Sequence, residues 1–105
     1  MSERFDMRSM VDGGRARVQV TGEIDLFTAP ELKGTLRDLI ADGATDLTVD
    51  LRSATFLDST GISVLFGAYR LVRARGGTLT VLADDPRIIE PLELTGLTEF
   101  VSLVA

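Results

Sequence analysis

The sequence contains no cysteine and no histidine, and Lys33 is its single lysine. Without cysteine there is no disulfide framework and no thiolate chemistry, a composition compatible with a cytoplasmic protein. The absence of histidine excludes serine-histidine-aspartate and cysteine-histidine catalysis, histidine-ligated zinc and the usual pH switch near neutrality. Few catalytic or metal-binding classes therefore remain open to this chain.

Long apolar runs are missing as well, since no stretch approaches the roughly 18 residues that a transmembrane helix needs. No basic N-terminus leads into an apolar segment, so we expect neither a signal peptide nor a membrane span. The net charge is −5, and the arginines are scattered rather than gathered in a stripe. This argues against a nucleic-acid partner.

Apolar residues make up 45% of the 105 positions, enough for a hydrophobic core, and the length predicts one domain over residues 1–105. The first half of the chain shows alternating strand and helix patterns. Asp12-Gly13-Gly14 is a turn signal inside a hairpin predicted from Met7 to Thr21. Thr28 and Glu31 fit a capping box at the start of a helix that Gly43 ends.

The second half repeats this alternation. We predict strands at Asp46–Leu51 and Thr78–Leu82, a loop over Arg52–Phe56, and a helix from Ile62 to about Val72 that closes at Arg73–Gly77. A short helix capped by Asp85 and interrupted by Pro91 follows, and then a last strand over Phe100–Val104. The order predicts an α/β fold, with a mixed sheet of four to five strands packed against helices. The sheet is mostly parallel, with an antiparallel N-terminal edge hairpin.

The stretch from Leu57 to Ile62 joins a strand to the long helix and places a hydroxyl at the helix N-terminus. One interpretation is a helix cap, in which Asp58 or Ser59 accepts a backbone amide and stabilises the helix by about 1 kcal/mol. The other is phosphorylation of Ser59, which adds a charge of about −1.5 to −2 and repels a closely packed partner.

The helix that follows carries small side chains on its outer face. On a helical wheel the strip left outside the apolar face consists of Ser59, Ser63, Gly67, Arg70 and Ala74. So smooth a strip fits either a flat partner protein or a neighbouring element of the same domain. The pattern alone leaves both interpretations open.

Five segments stand out by their order and spacing. They are Gly22-Glu23-Ile24-Asp25, Ala29-Pro30, Val49-Asp50-Leu51, Phe56-Leu57-Asp58-Ser59-Thr60-Gly61-Ile62 and Leu94-Thr95-Gly96-Leu97. Together they resemble the STAS domain of anti-sigma factor antagonists, over about residues 5–104. The resemblance implies a STAS-like α/β fold, with the strand and helix order that the pattern predicts. Members of this family often continue into a further C-terminal helix, whereas this sequence ends at Ala105.

The resemblance also implies a function. In that family, the serine that corresponds to Ser59 is phosphorylated by an anti-sigma factor that is itself a serine kinase. The unphosphorylated form binds this kinase and frees a sigma factor, and a serine phosphatase reverses the modification. The residues expected to contact the partner are Asp25, Asp58, Ser59, Thr60, Gly61 and Ser63. A scaffold or accessory STAS subunit, in a stressosome-like or lipid-transport complex, is the alternative.

Enzymatic interpretations are weaker. There is no Gly-rich phosphate loop ending in lysine, and a receiver domain built on Asp50 would need a lysine beyond a later strand. Asp84 and Asp85 fit a helix cap better than a Mg²⁺ site. We therefore expect no catalytic residue, no cofactor and no metal, with any ATP bound by the partner kinase.

Overall fold

The computed structural model describes residues 4–105 as one five-stranded sheet with three α-helices. The strands are β1 (Asp6–Asp12), β2 (Arg15–Ile24), β3 (Asp46–Leu57), β4 (Thr78–Leu82) and β5 (Ser102–Val104). The helices are α1 (Ala29–Ala41), α2 (Ser59–Ala74) and α3 (Pro86–Leu94), and a short 3₁₀ turn covers Leu97–Glu99.

The strands lie in the sheet in the same order as in the chain. β1 and β2 are antiparallel, and every later neighbour is parallel. The predicted mixed sheet with an antiparallel edge hairpin is therefore confirmed. Right-handed βαβ crossovers are the usual way to connect such parallel neighbours, which accounts for a helix between each pair from β2 to β4.

The core lies between one face of the sheet and the helices. Alternate residues of β2 are buried, as the period of two predicts, and α1 and α2 contribute their apolar faces. The largest fully buried side chains include Val18, Val20, Ile24, Leu32, Leu36, Leu47, Val49, Leu51, Leu65, Ile88, Leu92 and Leu97. Burying an apolar side chain of this size stabilises a fold by about 1.5–3 kcal/mol.

The loop predicted over Arg52–Phe56 is wrong, because β3 continues to Leu57. Pairing with β2 steps from Asp50 to Ser53 and from Ala54 to Phe56, so β3 carries extra residues at two irregular points. Such bulges break the alternation of side chains. They also keep Leu51, Ala54 and Leu57 all buried, although these residues are three apart.

Helix ends follow the predicted signals closely. Gly43 and Gly76, both at positive φ, follow the last turns of α1 and α2 and donate amides back to Ile40 and Arg73. The Arg75 guanidinium donates to the carbonyl oxygen of Ile40 at 2.9 Å. Arg75 therefore provides a hydrogen-bond donor to the C-terminal end of α1, although it follows α2 in the chain. The last strand starts at Ser102 instead of Phe100, because a 3₁₀ turn occupies Leu97–Glu99.

Candidate functional site

The candidate site forms where β2 and β3 end side by side. Ile24 and Leu57 are partners in the parallel pair, so the residues that follow them, Asp25 and Asp58, leave the same edge of the sheet. The amide of Asp58 donates to the carbonyl oxygen of Ile24 at 3.2 Å. Two of the predicted site residues are thereby brought together although they are far apart in sequence.

Asp58 caps α2, as one of the two sequence interpretations had it. Its Oδ1 accepts the amides of Thr60 at 2.9 Å and Gly61 at 3.2 Å, and also the Thr60 hydroxyl. Burial raises the pKa of this carboxyl. The hydrogen bonds from Thr60 and Gly61 together lower it by more, so the pKa of Asp58 lies below its ordinary value. Asp58 is therefore ionised at neutral pH.

Ser59 is the first residue of α2, which begins three residues earlier than the predicted Ile62. Its side chain is exposed, and within residues 4–105 its hydroxyl makes no hydrogen bond. The capping role belongs to Asp58, so the Ser59 hydroxyl is accessible at the end of a rigid helix. A group presented in this way suits modification by a second protein.

The amides near Ser59 are mostly occupied. Helix N-termini bind anions through free first-turn amides. Here the Asp58 carboxylate already accepts the Thr60 and Gly61 amides, and the Ile62 amide donates to the Asp58 carbonyl oxygen at 3.0 Å. A negative charge added to Ser59 would consequently lie beside a carboxylate, with little neutralisation by the helix.

The capping box predicted for α1 is wrong. Thr28 is the N-cap residue, but its hydroxyl donates to the carbonyl oxygen of Glu23 at 2.8 Å and accepts the Asp25 amide at 2.9 Å. The Asp25 Oδ1 accepts the amides of Phe27 at 2.9 Å and Thr28 at 3.1 Å. A local turn thus satisfies the groups that Glu31 was expected to satisfy.

The sequence did not predict the two exposed apolar side chains of this turn. Leu26 and Phe27 are 63% and 87% exposed, although both are large and apolar. The turn held by Asp25 and Thr28 fixes their backbone directly before α1. The available signal was a pair of apolar residues placed after a turn carboxylate, where a solvated loop would carry polar side chains.

Gly61 has a packing role. It is buried, and a Cβ at this position would lie 2.6 Å from Leu57 Cδ1 and 2.7 Å from Ile24 Cγ2. Any side chain here would force the first turn of α2 away from the ends of β2 and β3. Gly61 therefore sets how closely Ser59 approaches the Asp25 turn, and it offers a partner no side chain.

The outer strip of α2 faces α1 across an open groove. Ser59, Ser63, Gly67 and Arg70 line this groove together with residues of α1, among them Lys33. A Cβ built at Gly67 would meet no atom within 4 Å. α1 is thus the neighbouring element of the same domain, and the groove leaves the strip open.

The other acidic candidates have structural roles. Asp50 is 1% exposed, in the middle of β3, and binds Arg17 at 2.9 Å and Arg52 at 2.8 Å. Because two guanidinium groups cover this carboxylate, Asp50 cannot be the phosphate acceptor of a receiver domain. Asp85 accepts the Arg87 amide at 2.9 Å and caps α3, as predicted. Within residues 4–105 no cluster of acidic side chains could hold a metal ion.

Comparison with known proteins agrees with this geometry. The STAS domain model matches residues 10–105. The anti-sigma-B factor antagonist of Bacillus subtilis (strain 168) is 35% identical over 89 residues, which are 85% of this chain and 81% of that protein.

Solved structures agree as well. The crystal structure of an anti-sigma factor antagonist from Mycobacterium paratuberculosis has a TM-score of 0.88 and 32% identity, covering 96% of this chain and 86% of that one. The Bacillus cell fate determinant SpoIIAA in its phosphorylated form has a TM-score of 0.74 and 18% identity, covering 97% and 92%, a likeness of fold alone.

These findings confirm the resemblance seen in the sequence. The chain belongs to the STAS domain family, among the anti-sigma factor antagonists. Proteins of this class are typically regulators rather than enzymes. None of the helices within residues 4–105 has the length and apolar character to cross a membrane.

Proposed function

We propose that this chain is an anti-sigma factor antagonist that acts in the cytoplasm as one STAS domain over residues 1–105. Its unphosphorylated form binds an anti-sigma factor with serine kinase activity, and this binding frees a sigma factor. Phosphorylation of Ser59 by that kinase ends the interaction, and a serine phosphatase restores it. The observation that supports this most is the Ser59 hydroxyl, exposed at the first position of a capped helix.

The fold tolerates the modification because the Ser59 side chain is exposed. The partner interface does not tolerate it. A phosphoserine adds about −1.5 to −2 charge directly beside the ionised Asp58. Burying that charge without a counter-ion costs several kcal/mol, and about 1.4 kcal/mol corresponds to a tenfold loss of affinity.

In this proposal the remaining site residues either contact the partner directly or hold the turns that present the contact residues. Ser63 lies one turn beyond Ser59 on the same exposed strip, so it contacts the partner directly. Asp58, Thr60 and Gly61 act mainly by fixing the first turn of α2, and Asp25 acts by fixing the Leu26–Phe27 turn. The Oδ2 atom of Asp58 lies outside the hydrogen bonds of its turn and remains for a contact with the partner.

The test is intact-protein mass spectrometry with site mapping after incubation with each anti-sigma serine kinase of the source organism and ATP. We expect one phosphate on Ser59 and release of the kinase complex. Ser59→Ala should fold, bind the kinase and resist phosphorylation, whereas Ser59→Asp should weaken binding. Ser9→Ala, which changes an exposed serine of β1 outside the site, is the matched control, and it should be phosphorylated like the parent chain.

A phosphate on another residue, or kinase release that does not depend on Ser59, would refute the proposed switch. The absence of modification by every kinase tested would move the function to that of a scaffold or accessory STAS subunit. If Ser59→Asp binds the kinase as tightly as the parent chain, this result would contradict only the electrostatic explanation and not the phosphorylation of Ser59.

A further inference from the structure

The groove between α1 and α2 is a concave surface with a volume of about 590 Å³. Its walls combine apolar and small side chains. Among them are Leu26, Ser63, Val64, Gly67, Ala68 and Leu71. Ser59 stands at one end, so whatever occupies the groove approaches the site of the proposed switch.

The charged residues of the groove are all positive. Lys33 and Arg37 come from α1 and Arg70 from α2, and the lining contains no aspartate or glutamate. This is notable in a chain whose net charge is −5. α2 itself carries no acidic residue between Ser59 and Ala74. The groove is thus a cationic, partly apolar surface on an otherwise acidic protein.

The dimensions of the groove suit a helix. It follows α2 from Ser59 to Arg70, which at about 1.5 Å per residue corresponds to a length of about 17 Å, or three helical turns. Gly67 and Ala68 keep the floor low in the middle of this path. An amphipathic helix docks in such a groove through its apolar face and pairs its charges with the rim.

We propose that this groove binds an acidic amphipathic helix of the anti-sigma kinase. The proposal rests on the function proposed above and names the chemistry of the partner segment. The apolar face of the helix lies against Val64, Leu71 and the floor at Gly67, and its carboxylates pair with Lys33, Arg37 and Arg70. A phosphate on Ser59 then places negative charge at the end of a groove that selects an acidic segment.

The first experiment fills the groove without disturbing the fold. Gly67→Leu adds a side chain where a Cβ meets no atom within 4 Å, and the matched control is Gly34→Leu, a position on α1 that is equally open and outside the groove lining. Both variants replace a helical glycine with a better helix former, so thermal unfolding should show both folded. Calorimetry with the unphosphorylated chain and the purified kinase should show at least tenfold weaker binding for Gly67→Leu and no change for Gly34→Leu.

The second experiment tests the charge. Lys33→Glu combined with Arg37→Glu should weaken kinase binding at least tenfold, and Arg8→Glu combined with Arg73→Glu, an equal change of charge at exposed sites elsewhere, should change it less than threefold. Affinity of the parent chain should fall as salt rises, because exposed charge pairs are screened. Equal losses for both pairs would overturn the proposal, since only net charge would then matter.

The third experiment identifies the occupant. Because the chain has no cysteine, Ser63→Cys can carry a single photo-crosslinker in the groove wall. Crosslinks should map to an acidic helical segment of the kinase. Crosslinks confined to another kind of segment of the kinase would overturn the proposal.

The two proposals fail in different ways. If the kinase phosphorylates Ser59 and binds Gly67→Leu as tightly as the parent chain, the groove assignment is wrong and the proposed function stands. If the kinase neither binds nor phosphorylates the parent chain, the proposed function fails, and the groove assignment fails with it.

Discussion

Asp25 and Asp58 occupy equivalent positions at the ends of neighbouring parallel strands. Each follows one member of the paired residues Ile24 and Leu57, and each uses Oδ1 to accept the amides two and three residues later. The two turns therefore lie side by side and start α1 and α2. This repeated geometry holds the Leu26–Phe27 turn and Ser59 at one end of the molecule.

The first prediction concerns how Asp25 acts. If it positions the Leu26–Phe27 turn, Asp25→Ala and Thr28→Ala should weaken kinase binding to a similar extent, because both remove hydrogen bonds of the same turn. Each should also lower the free energy of unfolding by about 1 kcal/mol. Asp25→Asn keeps the acceptor and should bind like the parent chain. Loss of binding in Asp25→Asn, with Thr28→Ala unaffected, would instead indicate a direct charge contact with the partner.

The second prediction concerns the cap of α2. Asp58→Ala should lower the free energy of unfolding by about 1 kcal/mol, because the amides of Thr60 and Gly61 lose their acceptor. Asp58→Asn should lose clearly less, since its amide oxygen can accept the same hydrogen bonds. Urea unfolding followed by circular dichroism measures both. An equal loss in the two variants would show that the charge of Asp58, rather than its capping geometry, stabilises the helix.

The third prediction is a pH dependence from Asp50. Its side-chain hydrogen bond with Arg52, aided by Arg17, holds the pKa of this buried carboxyl well below its usual range. The unfolded value is about 3.9, so the ionised carboxylate stabilises the fold at neutral pH. That stabilisation is lost as the pH falls below about 4, towards the folded-state pKa.

The matching variant is Asp50→Asn. It should lower the free energy of unfolding by about 1–3 kcal/mol at pH 7, since the guanidinium groups remain partly hydrated while a charge-assisted bond is lost. Between pH 5 and pH 2 its urea midpoint should fall less steeply than that of the parent chain. Parallel curves would show that other carboxyls dominate acid unfolding.

The fourth prediction contrasts two glycines. A Cβ at Gly77 would lie 2.2 Å from the backbone oxygen of Thr45, which already accepts the Thr78 amide at 2.8 Å. Gly77→Ala should therefore lower the free energy of unfolding by about 1–3 kcal/mol. Gly34→Ala lies in an open part of α1 and should raise it by about 0.5–1 kcal/mol. Thermal unfolding of both variants provides the comparison, and destabilisation by Gly34→Ala would contradict the helix-propensity argument.

Local patterns were enough to predict most of the elements. The alternation in β2, the apolar face of α1 and the glycines after α1 and α2 all act over a few residues, so the sequence reveals them directly. The cap of α3 by Asp85 has the same local origin. The motif from Asp58 to Gly61 likewise placed Ser59 at the start of a helix before its surroundings were known.

What the sequence could not show depends on contacts between distant segments. The bulges of β3 exist only relative to β2, so its second half looked like a loop. The failed capping box depends on the carbonyl of Glu23, which attracts the Thr28 hydroxyl away from α1. The cationic groove needs α1 and α2 side by side, because neither helix alone places Lys33, Arg37 and Arg70 around one surface.

The sheet order has a consequence for synthesis of the protein. Each strand pairs with the strand made just before it, so no part of the sheet waits for a distant partner. Once Leu57 has left the ribosome, a three-stranded sheet with α1 can already form, and α2 and β4 extend it. Short-range topology of this kind favours early folding. A translation-arrest force profile should show a release step well before Val104 emerges, and a single step at the end of the chain would contradict it.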